Sequence, residues 1–263
     1  MKRLLFILTL IAALSSVFTA NAESNSLIQQ ADSAYTADNF KEAADIYNHV
    51  IQTEGASATL YYNLGNCYYR SGEMGKAILA YERSLRLDPT YDDARNNLKF
   101  VNARISDRPG ERGTFIGNAI DSVANAAHSN LWAWLAFGTF VLTIAGILAY
   151  IFSGVISVRK VGFFGGIVTL ITCGVFIFLA CRSAAIAVAE DAAIITVPST
   201  ILSTSPRVPK DRNQEAMLLH EGTKVRILDS VKSTTDSINP LWYDVEIDNS
   251  HRAWINAAAV EKI

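Results

Sequence analysis

Four patterns of apolar and polar residues succeed one another along the chain, and each predicts a different kind of element. Residues 4–18 form a mainly apolar run directly behind Lys2 and Arg3. From residue 24 to 104, apolar residues recur every three or four positions, the spacing of one buried face on an α-helix. Residues 131–152 (LWAWLAFGTFVLTIAGILAYIF) and 162–181 (GFFGGIVTLITCGVFIFLAC) carry no charge and predict helices that are apolar on every side. Beyond residue 190 the apolar runs shorten and turn formers separate them. Strands are expected over 193–197, 224–231, 242–247 and 252–255, with 205–214 as a long exposed loop.

The first pattern has the parts of an export signal. A basic n-region and an apolar h-region precede Ala20-Asn21-Ala22, an A-x-A site that places cleavage between Ala22 and Glu23. An uncleaved anchor is the alternative; in both cases the segment that follows is exported. The two uncharged runs are each long enough to cross about 30 Å of hydrocarbon. The short connection 153–161 makes them an antiparallel hairpin, and its Arg159 and Lys160 favour the cytoplasmic side, although Arg182 weakens that asymmetry. Parity is the firmer argument: after export, two crossings return the C-terminal segment to the outside. No ionisable residue lies within either span, which argues for an anchor and against an ion path. Gly162, Gly166 and Gly174 share a helix face, suited to packing on the first span or to docking another membrane protein.

Within the helical pattern, Tyr61, Leu64, Gly65 and Tyr68 make the stripe of one helix, and Ala77, Tyr81 and Ser84 the stripe of the next. Gly72 and Gly75 flank the turn between them, and Asp88-Pro89 stops the second helix. A shift of 34 residues sets Ala43 on Ala77, Tyr47 on Tyr81, Ala31 on Gly65 and Leu27 on Tyr61. Gln30 and Ala34 replace the larger Leu64 and Tyr68, so the earlier unit is the weaker copy. In the opposite direction Leu98 falls on Leu64 but Lys99 falls where a small residue is needed, so 92–104 reads as a capping helix. Asp92 and Asp93 suit its first turn, where acids complement the helix dipole.

These positions and this period resemble the tetratricopeptide repeat. The resemblance implies a domain over 23–104, with repeats at 24–57 and 58–91 and the cap behind them. It also implies a concave groove, lined by the first helices, that takes a peptide or a partner helix. Carried onto this chain, the groove-facing residues are Tyr62, Asn63, Asn66, Tyr69, Arg70 and Asn97. Asparagine pairs a donor with an acceptor and suits an extended backbone, while Arg70 suits a carboxylate. The plain alternative is an ordinary polar helix face.

Residues 105–130 join this domain to the first span. Pro109, Gly110 and Gly113 break the helix; Phe115, Ile116, Ile120, Val123 and Ala127 then recur at helical spacing. They predict either an amphipathic helix on the bilayer surface or a simple linker. Farther on, "LHEGTKVRIL", "WYDVEI" and "AWINAAAVEKI" resemble the bacterial SH3 module, a five-stranded barrel, over 190–263. Glu221-Gly222 marks a turn, and Ala253-Trp254-Ile255 stands where that family shows Gly-Trp-Ile. Trp242, Tyr243 and Trp254 are either core and rim residues or a ligand face for a peptide or peptidoglycan.

Composition narrows the chemistry. A net charge of -2 gives no electrostatic footprint for nucleic acid. Three cysteines, Cys67, Cys173 and Cys181, are too few and too scattered for a disulfide framework. His49, His128, His220 and His251 lie far apart, and no HExxH, GxSxG, P-loop or GxGxxG motif is present. No enzymatic activity, metal or cofactor is therefore expected. The fold class is a multidomain membrane protein: an α-helical repeat domain, a transmembrane hairpin and a small all-β SH3-like barrel.

That order of modules, with "LDPTYDDARNNLKFVNARI" ahead of the hairpin, resembles the BatE-type proteins of the bacterial aerotolerance operon. The resemblance implies a partner-binding subunit in the bacterial inner membrane, with both soluble parts on the periplasmic side. Its implied partners are membrane-bound von Willebrand A-domain proteins working with a MoxR-type ATPase, in aerotolerance or envelope stress. The alternative expectation is an envelope anchor that grips peptidoglycan through the SH3-like part.

Overall fold

The computed structural model describes residues 26–108, 112–233 and 239–263. The export signal with its Ala22–Glu23 cleavage position, and Pro109 and Gly110, lie outside the described residues. Five helices come first: α1 over 26–36, α2 (Phe40–Glu54), α3 (Ala58–Arg70), α4 (Met74–Leu87) and α5 (Asp92–Asn102). Ser57 caps α3 by accepting from the Leu60 N–H at 3.1 Å, and Gly72 supplies the left-handed turn into α4 at φ 82°. Ala31, Ala43, Tyr47, Leu64, Cys67 and Ala80 pack into one core, and Ala77, Ile78, Tyr81, Ala94 and Val101 into the next. Gly65 is required where it stands: a Cβ there would lie 2.6 Å from the Tyr81 ring.

Three further helices follow, α6 (Phe115–Ala124), α7 (Ser129–Phe152) and α8 (Ile156–Val188). α7 and α8 are antiparallel, as their paired residues run in opposite directions. Thr143 and Thr169 hydroxyls bond at 2.9 Å, and the Cys173 thiol reaches the Ala136 carbonyl at 3.4 Å. A Cβ on Gly162 would fall 2.6 Å from the Gly146 carbonyl oxygen, so the two backbones nearly touch there. Gly166 is buried on the same seam, whereas Gly174 faces open space. The connection is shorter than the expected 153–161. α8 is already helical at Ile156, so Arg159 and Lys160 lie on its first turns. Both helices are long and apolar enough to cross a membrane.

The C-terminal part is a seven-stranded antiparallel sheet: β1 (Ala192–Ile195), β2 (Ser199–Ser203), β3 (Glu215–His220), β4 (Lys224–Lys232), β5 (Leu241–Asp248), β6 (His251–Asn256) and β7 (Val260–Lys262). The order is β3-β2-β6-β5-β4-β1-β7, an open sheet in place of the closed five-stranded barrel expected from the resemblance. The strands that sequence did not anticipate are β2, β3 and β7. The β3 sequence EAMLLH is made of helix formers and takes its strand state from pairing with β2. Ala193, Ile195, Leu202, Val225, Val245 and Ile255 are among the core of the sheet.

Strand alternation turns Ile194 to the opposite face, where it completes the core around α4. Here the repeats and the sheet dock. Gly75 lies within α4, beyond the turn, and a Cβ on it would meet the Ile195 carbonyl oxygen at 2.7 Å. Its N–H donates to the Glu221 carboxylate at 2.9 Å, which caps the positive end of the helix. Lys224 pairs with Glu82 at 2.8 Å, and Arg83 donates to the Lys262 carbonyl at 2.5 Å. Arg86 joins three parts at once, donating from α4 to the carbonyls of Ala187 on α8 (2.9 Å) and Ile263. Gly222 at φ 86° sets its turn against Ile78 and Ile105.

Asp107 closes the edge of this interface. It accepts from the Thr223 hydroxyl at 2.6 Å and the His220 N–H at 2.5 Å, and the His220 ring Nδ1 lies 2.8 Å away. Burial alone would raise its pKa, but the hydrogen bonds from Thr223 and His220 outweigh it and hold the carboxyl below the usual carboxylate range. A carboxyl with a lower pKa folded than unfolded stabilises at neutral pH and loses that contribution as pH falls below about 4. Asp107→Asn is expected to cost about 2 kcal/mol of docking at pH 7, typical of a hydrogen-bonded charge. Amide hydrogen exchange across 219–225 checks this. Protection relative to the intrinsic exchange rate should fall with acid in the wild type, and be low at every pH in the variant.

Candidate protein-binding groove

α1 and α3 are the first helices of two successive helix pairs, α5 follows them, and the three display a polar ladder. Its rungs rise from the second helices. Tyr47 on α2 and Tyr81 on α4 are buried, and their hydroxyls emerge between the first helices. Tyr47 donates to the Asp32 carboxylate, and Tyr81 donates to Asn66 Oδ1 at 2.7 Å. The Asn63 amide donates to the Tyr47 hydroxyl at 3.4 Å, and the Asn97 amide donates to Asn66 Oδ1 at 2.9 Å. The ladder follows the repeat: Asn66 stands 34 residues after Asp32, and Asn97 34 after Asn63. Burial pushes both tyrosine hydroxyls well above their ordinary pKa, so they stay protonated donors. Burial also pushes the Cys67 thiol up to about 12, which keeps it a packing group.

The expected contact residues thus serve different ends. Asn63, Asn66 and Asn97 are brought together, and each spends part of its hydrogen-bonding capacity holding helices in register. Among the described residues the Asn63 carbonyl and the Asn66 amide N–H groups keep no partner and are half-buried. Tyr62 is drawn inward, edge-on to Tyr91 at 5.2 Å between centroids and tilted on Tyr81 at 6.1 Å. Tyr69 stays at the α5 side of the ladder, edge-on to the exposed Phe100 at 5.7 Å. The Arg104 guanidinium lies over that Phe100 ring at 3.3 Å.

Arg70 sits at the rim, at the end of α3. It pairs with Asp38 at 3.1 Å and lies over the Phe40 ring at 4.3 Å. Both partners of that ion pair are exposed, so it contributes under about 1 kcal/mol and leaves the guanidinium exchangeable. Sequence reasoning missed Asp32, Tyr47, Tyr81, Phe100 and Arg104 as parts of this surface. The shift that places Asp32 on Asn66 was the available signal for the first three.

The aromatic residues singled out on the sheet do not share a face. Tyr243 pairs with Ile255 and packs on the sheet core, while its neighbour Trp242 points the other way. Trp242 is 3 % exposed, and its indole N–H has no hydrogen-bond partner among the described residues. Trp254 lies opposite Asp244 and is half-buried, beside Arg252, whose Nε donates to Asp244 Oδ1 at 2.8 Å. The expected three-residue ligand face is therefore divided by strand alternation, and Trp254 alone keeps an accessible ring on the outer side. Among the described residues no three His, Cys, Asp or Glu side chains stand close enough to hold a metal.

Residues 58–91, which span α3, its turn and α4, match the tetratricopeptide repeat family. No curated protein matches the chain at a significant level. The chain therefore carries a tetratricopeptide repeat at 58–91, a helix pair of the kind that serves protein–protein interaction.

Proposed function

We propose that the chain is a non-enzymatic, membrane-anchored scaffold of a bacterial envelope complex whose repeat groove holds a segment of a partner protein. The observation that carries this reading is the polar ladder of Asp32, Asn63, Asn66 and Asn97, flanked by Tyr69, Phe100 and Arg104. It presents positioned donors and acceptors beside aromatic rings, on helices other than the one that docks the sheet. An extended peptide backbone fits such a surface, with alternate side chains set against the rings.

Two observations support the anchor and its sidedness. Only 11 % and 17 % of the most apolar stretches of α7 and α8 are buried, whereas a core helix of a water-soluble domain would have those side chains covered. Repeats and sheet are docked on each other, and two crossings between them bring both to one side. With an export signal that side is the periplasm of an inner-membrane protein. The order of parts resembles the BatE-type group, so von Willebrand A-domain proteins associated with a MoxR-type ATPase are the partners to test first, and aerotolerance or envelope stress the process.

A photo-reactive residue in place of Tyr69, in the full chain in cells, tests the groove. It should capture one partner protein, and Asn63→Ala with Asn97→Ala should lower that yield about tenfold, the effect of losing about 1.4 kcal/mol of contact. An unchanged set of captured proteins would show that the groove is not the binding surface.

Trp254 supports a second reading, an anchor that grips peptidoglycan or a cell-wall peptide. Its half-buried ring and the Arg252–Asp244 pair share the outer face of the sheet. On this reading the purified chain sediments with peptidoglycan and Trp254→Ala does not. A wild-type chain that stays in the supernatant ends this second reading.

A further inference from the structure

We infer that α6 is a membrane-surface helix, inserted by Phe115 and Ile116 into the outer boundary of the same bilayer, and that it fixes the height of the repeat platform. This rests on the membrane reading of α7 and α8. The helix is held at three places. Before its first turn, the Gly113 N–H donates to Asn249 Oδ1 at 2.8 Å, and the Asn249 amide returns a bond to the Gly113 carbonyl at 2.9 Å. Midway, Asp121 accepts two bonds from Arg182 on α8, at 2.6 and 2.9 Å. At its end, the Trp132 indole N–H on α7 donates to the Ala124 carbonyl at 3.1 Å. A plain linker would not be fastened to the sheet and to both long helices.

Those fastenings also fix its level. Arg182 is the first charged residue after the uncharged run 162–181, and Trp132 stands at the start of the run 131–152. Asp121 and Ala124 therefore lie where the apolar surface of the hairpin ends, at the bilayer boundary. Ala124, on the side toward the hairpin, is fully buried. The opposite side carries Phe115, Ala119 and Val123 at four-residue spacing, with Ile116 beside them. Phe115 at 85 % and Ile116 at 70 % exposure would face water in the absence of lipid, and Phe115 is the most exposed large apolar side chain among the described residues. Asn118 and Ser122 occupy the remaining, polar sector. One face on protein, one apolar and one polar is the pattern of a helix lying in a membrane interface. The sheet turn at Asn249 is held to the start of this helix, so its depth sets the distance of the sheet, and of the repeats docked on it, from the bilayer.

Spin labels on single cysteines at Phe115, Asn118 and Phe137 test this, in the full chain carrying Cys67→Ala, Cys173→Ala and Cys181→Ser. The chain is reconstituted in phosphatidylcholine–phosphatidylglycerol vesicles, and collisions with oxygen, which concentrates in lipid, are compared with those of a water-soluble nickel chelate. The expected result is oxygen preference at Phe137, a shallower oxygen preference at Phe115, and chelate preference at Asn118. Oxygen preference at Phe137 with chelate preference at Phe115 overturns the inference and leaves the membrane reading standing. Chelate preference at Phe137 overturns both. A Phe115 label shielded from both reagents points to a protein contact and also overturns the inference. Hydrogen exchange gives a readout with the native cysteines in place. Phe115→Ser with Ile116→Ser should speed exchange across 115–124 in vesicles about tenfold or more, given the contribution of one buried side chain of this size, and leave α7 and α8 unchanged. Unaltered exchange in α6 overturns the inference.

Discussion

The Ile194 side chain projects from β1 into the core beside Ala77, Ile78 and Tyr81 of α4, while Glu82 on the same helix reaches Lys224 at 2.8 Å. One face of α4 is thus shared between the repeats and the sheet. The rest of the arrangement follows from that sharing. With α4 committed to β1 and to the turn at Glu221-Gly222, the first helices α1, α3 and α5 are left to display the ladder. Arg86 extends the same helix to the end of α8, so the repeats are set against the hairpin as well. Two water-soluble parts that touch must lie on one side of any membrane the chain crosses, and a hairpin of two spans satisfies this.

The docking also answers a problem of size. A repeat unit buries its apolar face only by stacking on a neighbour, and the matched pair α3–α4 has only α1–α2 and α5 beside it, which is short for a solenoid. Here the sheet takes the place of further repeats along α4. Gly75 permits the backbone approach, Ile194 fills the apolar gap, and Glu221 satisfies an N–H at the helix start. The ladder contributes in the other direction. Tyr47 and Tyr81 are anchored in the two helical cores and bind first helices to second ones through carboxylate or amide acceptors, so the groups that build the ladder also hold the helix pairs in register.

What could be read from sequence divides by range. Tyr61, Leu64, Gly65 and Tyr68 mark a helix pair because their spacing is local, and the packing of Gly65 on Tyr81 is the close approach expected of it. The uncharged runs behave likewise, since hydropathy is a property of the segment itself. Gly75 was legible only as a turn residue, because its reason lies more than a hundred residues away at Ile195. EAMLLH carries no strand signal of its own, and Arg159 and Lys160 look like loop residues until α8 is seen to begin before them. The ladder was half legible. Asn63, Asn66 and Asn97 lie where the repeat pattern puts them, but their tyrosine partners come from other helices, and spacing alone does not reveal a hydrogen bond. Trp242, Tyr243 and Trp254 were grouped by aromatic character, but strand alternation turns Tyr243 to the core face and burial covers Trp242 on the other.

Carbodiimide joins a carboxylate to an amine only when the two are already in contact, which suits the Glu82–Lys224 pair. Treating the full chain under native conditions and identifying linked peptides by mass spectrometry tests the shared interface most directly. The account predicts a Glu82–Lys224 linkage within one chain, abolished by Lys224→Arg, whose guanidinium does not couple. Recovery of the neighbouring Glu73–Lys76 linkage, a contact of 2.6 Å within the repeats, without any Glu82–Lys224 product would show the repeats and the sheet apart and contradict it.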